Sequence, residues 1–324
     1  MFGFFGLVVG SAFRTAIGRA RRGPLRPTWS FGFETIVGAL KSDWERLRHW
    51  PIERVRAEME ARNFPSDAAR KVTREKVSAG VKGEWVRPPS ARPRQSGVVL
   101  YVHGGSYLFG SPDTHVDTTA RIALATGCDV FALDYRLAPE HRFPAQQDDA
   151  LATISWLESQ GITRDRIVIA GESAGGNLVL SVLLALRDRN ERSLRAGVMI
   201  SPWLDLRATG ESFERNHPFD YGSKPMLLEH AQLVAGDRAL DDPNLSVGLA
   251  DPTGIAPVLV QVGTAELLYD QCERWADKAR LAAVNVQWDA PVDMPHAPPF
   301  FAAQSPEGAK AVETIGAYIR AALR

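Results

Sequence analysis

From Gly97 onward, short apolar runs alternate with longer amphipathic ones. Val98 to Val102 predicts a strand, Thr114 to Thr126 a helix, Val130 to Leu133 a strand, and Ala145 to Ser159 a helix ended by Gly161. Ile167 to Ala170 then predicts a strand, Leu178 to Leu186 a helix, and Ala196 to Ile200 a strand. After an interruption, Val258 to Val262 predicts a strand, Tyr269 to Ala283 a helix, Val284 to Trp288 a strand, and Glu307 to Leu323 a closing helix. This β-α-β-α succession predicts an α/β fold with a mostly parallel, doubly wound sheet. Catalytic groups then belong at the carboxyl ends of its strands.

The interruption, Leu206 to Val247, is polar, carries Pro218, Pro225 and Pro243, and holds one predicted helix, Lys224 to Ala235. An excursion this long between sheet strands reads as a lid or cap. Ahead of the alternating region, Phe33 to Trp50 and Ile52 to Arg62 predict two helices, with Pro51 at a permitted first-turn position. Val77 to Val86 reads as one strand and Pro88 to Ser96 as a connector. Met1 to Ile17 is apolar and aromatic, and its arginines (Arg14, Arg19, Arg21, Arg22) come late. It lacks the leading charge and cleavage site of a secretory signal and is too short to span a bilayer. Two readings stay open for it: an amphipathic helix lying in a membrane interface, or a helix packed over an active site or a partner subunit.

The chain has 324 residues, 45% hydrophobic and 23% charged, enough for one large core. Its net charge is zero, but through Ser96 there are 19 Lys/Arg against 9 Asp/Glu, a balance of +10. That suits contact of residues 1–24 with an anionic membrane surface, although a solvated helical region with scattered arginines is the simpler reading. No basic patch is interleaved with aromatics, so no nucleic-acid partner is expected. Cys128 and Cys272 are far apart in apolar contexts and read as free thiols in a reducing, cytoplasmic compartment. The seven histidines show no metal-ligand spacing, and neither metal nor cofactor is expected.

The chemistry centres on Gly171-Glu172-Ser173-Ala174-Gly175, between a predicted strand and a predicted helix. Strand, sharp turn, helix is the setting of a nucleophile elbow, which strains the serine and exposes its hydroxyl beside a helix N-terminus. His103-Gly104-Gly105-Ser106 follows the first strong strand, where adjacent glycines present N–H groups above the sheet. Such a loop supplies half of an oxyanion hole, and the N–H after the nucleophile, here Ala174, supplies the other half. Of the downstream histidines, His217 and His230 lie in the interruption and read as surface or substrate-lining residues, whereas His296 follows the last strand. Glu266 lies at the end of the Val258 to Val262 strand, and Asp270 four residues on is the reserve acid. The order Ser173, Glu266, His296 is nucleophile, acid, base.

With these stretches the chain resembles the hormone-sensitive-lipase-like bacterial carboxylesterases of the α/β-hydrolase superfamily. The resemblance rests on His103-Gly104-Gly105, on Asp134-Tyr135-Arg136-Leu137-Ala138-Pro139-Glu140, on Phe143-Pro144-Ala145, on Gly171 to Asn177, on Ser201-Pro202-Trp203, and on the Glu266 and His296 loops. It implies an α/β-hydrolase fold of about eight strands, occupying residues 71–205 and 248–324. It implies a helical cap built from residues 1–70 and the insertion 206–247. It implies a Ser173, His296, Glu266 triad and Gly104, Gly105 and Ala174 as oxyanion donors. By analogy it implies a homodimer through Val284 to Trp288. Ser106 stands where the family usually has a third glycine, Glu266 where Asp is commoner, and Ala297-Pro298-Pro299-Phe300-Phe301 where the family has His-Gly-Phe.

The expected activity is hydrolysis of short-to-medium acyl esters through an acyl-enzyme. Ser106, Tyr107, Trp203, Leu204, Ala297 and Phe300 are the expected substrate-lining set. The rival readings are hydrolysis of a lactone or lipid ester at a membrane surface, and a small-molecule receptor that has kept only the pocket.

Overall fold

The computed structural model describes residues 2–62 and 66–324. Three helices come first: α1 (Phe2–Arg22), α2 (Phe31–Leu47) and α3 (Ile52–Ala61). Ser30 starts α2, because its hydroxyl accepts from Phe33 N at 3.1 Å and satisfies one of the unpaired first-turn donors. The single strand expected at Val77 to Val86 is instead a hairpin, in which β1 (Thr73–Val77) and β2 (Gly83–Arg87) pair antiparallel. Ser78-Ala79-Gly80 breaks the stretch, with Gly80 at φ +83°, a left-handed conformation free of penalty without a Cβ.

The alternation follows as expected: β3 (Val98–Val102), α4 (Val116–Thr126), β4 (Val130–Leu133), α5 (Ala145–Ser159), β5 (Ile167–Glu172), α6 (Ala174–Asp188) and β6 (Ala196–Ile200). The interruption holds α7 (Ser212–Arg215) and α8 (Lys224–Ala235). Then come β7 (Val258–Gln261), α9 (Tyr269–Leu281), β8 (Val286–Asp289) and α10 (Pro306–Ala322). The eight strands form one sheet in the order β1-β2-β4-β3-β5-β6-β7-β8. The β1–β2 and β2–β4 pairs are antiparallel and the rest are parallel.

Strands β3 to β7 are buried throughout, as a parallel sheet covered on both faces requires. Side chains alternate between the faces. Leu100, Val102, Ile167 and Ile169 pack with Leu157, Leu178 and Leu183, and Val99, Tyr101, Val168 and Ala170 pack with Ile122, Ile315 and Ile319. Helix α6 begins at Ala174, four residues before the apolar run, because the turn at Ser173 hands the chain directly into it. β8 begins at Val286 rather than Val284: Ala283 takes φ 59° and Val284 N donates to Ala279 O at 2.9 Å, which ends α9 first.

The N-terminal helices are tied to the rest at several points. Arg48, capping the end of α2, holds Glu229 of α8 through two hydrogen bonds of 2.6 and 2.7 Å, and Lys41 Nζ donates to His217 O. Arg56 of α3 donates to Leu108 O and Ala138 O and pairs with Glu140. Thr28 and Trp29, between α1 and α2, donate to Asp293 in the loop after β8.

Candidate active site

Strand β5 delivers Ser173 at its carboxyl end with φ 57° and ψ −118°, a sparsely populated conformation for a residue with a side chain. Ser173 N donates to Ile200 O at 2.9 Å and Ser173 O accepts from Trp203 N at 3.0 Å, which hold the turn. A Cβ on Gly171 would lie 2.5 Å from Val102 O and 2.7 Å from Gly175, and one on Gly175 would strike the Val102 carbonyl. The two glycines of the pentapeptide are thus required by the approach of strand and helix.

The turn after β7 carries Glu266 and the loop after β8 carries His296, with Glu266 Oε2 2.8 Å from His296 Nδ1. The other oxygen of this fully buried carboxylate accepts from Ser201 Oγ at 2.8 Å and from Gly263 N. Burial pushes the Glu266 carboxyl above its ordinary range, against the hydrogen bonds from His296 and Ser201. Burial pulls His296 the other way, but the hydrogen bond and charge of Glu266 outweigh it and leave the imidazole above its ordinary value. A carboxylate at Nδ1 keeps a proton there and leaves Nε2 as the basic nitrogen of the neutral ring.

Ser173 and His296 line the same cavity, and no hydrogen bond joins them, a gap that substrate commonly closes in such sites. The reserve acid is engaged elsewhere: Asp270 accepts from Ser212 N at 2.8 Å and pairs with Arg215 at 2.7 Å. Asp220, in the insertion, accepts from His296 N at 3.1 Å and from Leu267 N at 2.8 Å, and Tyr221 OH donates to His296 O at 3.0 Å. The insertion therefore clamps both loops.

The loop after β3 departs from expectation at Gly104, whose N–H is given to Glu172 Oε1 and does not face the cavity. The N–H groups of Gly105, Ser106 and Ala174 have no acceptor among the described residues. Glu172 is the residue immediately before Ser173. Besides Gly104 it accepts from Tyr101 OH and lies 2.9 Å from His115 Nε2, with all three partners buried. Burial pushes Glu172 up, but His115 and the hydrogen bonds win and hold it below the usual carboxylate range. Burial likewise opposes charge on His115, and Glu172 outweighs it to raise His115. Glu172 and His115 thus form a buried ion pair beside Ser173. Sequence alone offered no signal for this pairing, since His115 is 57 positions from Glu172.

The cavity has a volume of about 110 Å³. Its floor includes Gly105, Ser106, Ser173 and His296, and its roof comes from Trp44 of α2, Met59 of α3 and Met226, Leu227 and His230 of α8. Ser106 and Phe300 of the expected lining set are there, and Ser106 Oγ lies 3.0 Å from His230 Nδ1. Burial pulls His230 down to about 4, so its ring is neutral. The other four are turned into the core. Tyr107 OH donates to Asn177 at 2.8 Å, Trp203 is fully buried, Leu204 N donates to Gln271, and Ala297 N donates to Ser201 Oγ at 3.0 Å. Among the described residues, no His, Cys, Asp or Glu cluster could hold a metal ion, and no helix is long and apolar enough to cross a membrane.

The family model of the alpha/beta hydrolase fold matches residues 99–299. An acetyl-hydrolase of Streptomyces hygroscopicus is 37% identical over 246 residues, covering 74% of this chain and 79% of its own. A crystal structure of an esterase from the bacterial hormone-sensitive lipase family superposes with a TM-score of 0.81 at 37% identity, covering 89% of this chain and 98% of that one. An esterase crystal soaked with p-nitrophenyl butyrate superposes with a TM-score of 0.80 at 32% identity, covering 88% and 98%.

Proposed function

The chain belongs to the α/β-hydrolase family, among its hormone-sensitive-lipase-like esterases, and from that premise we propose a serine mechanism on short acyl esters. Esterase activity and a carboxylesterase-type hydrolase come with the family. The observation that carries the proposed mechanism is the Glu266–His296 hydrogen bond, whose imidazole shares one cavity with the strained Ser173.

His296 Nε2 takes the Ser173 proton as Oγ attacks the ester carbonyl carbon. The N–H groups of Gly105, Ser106 and Ala174 hold the negative oxygen that forms only then, and each such donor lowers the barrier by roughly 3 kcal/mol. The tetrahedral intermediate collapses, the C–O bond to the alcohol breaks, and the alcohol leaves with the proton from His296. Water, deprotonated by His296, then attacks the acyl-enzyme. The acid is released and Ser173 recovers its proton. Helices α2 and α3, together with α8 of the insertion 206–247, act as the cap over this site.

The cavity supports a small acyl group. A volume of about 110 Å³ is below the roughly 150 Å³ of an apolar protein cavity that accepts benzene. The acetyl-hydrolase relative and the neighbour soaked with p-nitrophenyl butyrate point the same way.

The test is an aryl-ester chain-length series with wild type and Ser173→Ala, alongside a phosphonate serine probe. Turnover highest on two- to four-carbon esters, labelling at Ser173, and a loss on the order of 10⁶-fold in the variant are expected. Full activity in Ser173→Ala would overturn the mechanism.

A further inference from the structure

Helix α1 leaves more apolar surface in solvent than a helix that serves only the fold needs to. The side it turns away from solvent mixes half-buried Phe4, Leu7 and Val8 with polar groups that face α2: Ser11 is 2% exposed and its hydroxyl donates to Thr35 O at 2.8 Å, Thr15 is also buried, and Arg19 pairs with Glu34 at 2.8 Å. The approach there is close, since a Cβ on Gly38 of α2 would meet the Ser11 hydroxyl at 2.6 Å. The side it turns to solvent is apolar. Phe5, Val9, Phe13 and Ile17 are 70%, 55%, 70% and 39% exposed. Spaced by four, they stack along one face, and Ala16 and Ala20, also exposed, widen it. Nothing within the described chain covers this face, and leaving it in water is unfavourable.

The charges on α1 say what suits it. The helix has four arginines and no Asp or Glu. Arg19 and Arg22 share the single carboxylate of Glu34. Arg14 donates only to the Ser42 hydroxyl, and Arg21 has no carboxylate partner among the described residues. Arg14 and Arg21 are exposed and seven positions apart, so they lie on one side of the helix. This cationic margin continues the +10 balance of residues 1–96.

We propose that α1 is an interfacial helix that seats this hydrolase on an anionic lipid surface, Phe5, Val9, Phe13 and Ile17 entering the acyl boundary and Arg14 and Arg21 meeting lipid phosphates. A second copy of the chain fits less well. An α1–α1 pairing would set two cationic faces together with no carboxylate on either. At exposures of 70%, 55%, 70% and 39%, four side chains of at most ~250 Å² each offer no more than about 600 Å², short of the ~800 Å² per partner of a stable interface. An apolar face with a basic margin is the composition that binds in the plane of a charged bilayer. Because α1 packs on α2, and α2 supplies Trp44 to the cavity roof, binding would set the cap against the lipid, where water-insoluble esters collect. The inference does not depend on the catalytic mechanism proposed above.

The experiment is flotation of the full chain with phosphatidylcholine vesicles, with and without phosphatidylglycerol, at low and high salt. Turnover of a soluble aryl ester serves as the control for folding. Wild type is expected to float with the anionic vesicles and to be released from them by salt. Phe5→Ser with Phe13→Ser should cut the bound fraction at least about tenfold, since both anchors are lost. Arg14→Gln with Arg21→Gln should abolish the preference for phosphatidylglycerol, and all variants should keep wild-type turnover of the soluble ester. Failure of wild type to float, or equal flotation of the phenylalanine variant, would overturn the proposal. So would a wild-type dimer in gel filtration, without flotation, that the phenylalanine substitutions convert to monomer.

Discussion

Ser106 Oγ and His230 Nδ1 lie 3.0 Å apart and join the loop after β3 to the helix that roofs the cavity. His230 is neutral, so this is an uncharged hydrogen bond, contributing about 0.5–1.5 kcal/mol. Ser106 also sits at φ 54°, which disfavours a side chain. Ser106→Gly loses the hydrogen bond, relieves that conformation and keeps the backbone N–H. We expect a melting temperature near wild type, kcat within roughly threefold, and a KM raised several-fold as α8 loosens. A fall in kcat of about 10²–10³ at constant KM, the scale of a lost oxyanion donor, would instead put the hydroxyl in the chemistry.

The pH profile follows from the Glu266–His296 pair. The base must be neutral, and Glu266 holds His296 above its ordinary value. As pH falls through that raised value the base is lost, so the acid limb of kcat/KM should lie above pH ~6.5. Glu266→Gln removes the charge and leaves burial in control, so the limb should move to lower pH while kcat falls on the order of 10⁴-fold. Asp270→Asn should leave the limb where it is, because Asp270 serves Arg215 and Ser212. The reverse pattern in the two variants would reassign the acid.

The Glu172–His115 pair makes a prediction about stability. The folded pKa of Glu172 is depressed, so its contribution is present above the ordinary glutamate value and is lost as pH falls through the folded one. The folded pKa of His115 is raised, so its contribution is full below about 6.5 and is lost as pH rises through the folded value. The pair therefore stabilises most between the two. Glu172→Gln breaks a buried pair and should cost about 3–5 kcal/mol near pH 6, seen as a melting temperature lower by on the order of 5–10 °C. The deficit should shrink at alkaline pH, where His115 is neutral in both proteins. Turnover should drop too, because Gly104 loses the carboxylate that orients the loop. A deficit that does not vary with pH would mean that the two side chains do not act as an ion pair.

What could be read from the chain alone was whatever local chemistry dictates. Gly171 and Gly175 flanking a serine after a β-branched run define the elbow, and the succession of runs defines the sheet. Glu266 and His296 were legible because strand ends in a parallel sheet converge. Direction was not legible. Gly104 and Gly105 are neighbours, yet one gives its N–H to Glu172, 68 residues away, and the other lines the cavity. Tyr107, Trp203 and Leu204 sit beside the motifs in sequence but point into the core. Trp44 and Met59 line the roof although their helices show only ordinary amphipathic spacing. Register and rotamer decide these outcomes, and both are set by tertiary packing.

Chain-length selectivity should be governed from the roof rather than the sheet. Trp44 lines the cavity and packs at 5.3 Å between ring centroids on Phe109, which lies in the loop after β3 and also lines it. Floor residues such as Gly105, Ser106 and Ser173 are fixed by the elbow and its loop, so the cap is the first place to add volume. Trp44→Ala removes the largest side chain of the wall. In a cavity of about 110 Å³, the indole occupies a space comparable with the cavity itself, given that roughly 150 Å³ accepts a whole benzene. The optimum in an aryl-ester series should therefore move to acyl chains longer by several carbons. kcat/KM for the acetyl ester should fall as the short chain loses contacts on one side. The catalytic groups are untouched, so the pH limb set by His296 should not move. If the optimum stays at two to four carbons after the indole is gone, the acyl group lies elsewhere, and Phe300, which lines the cavity and packs on His115, is the next residue to truncate.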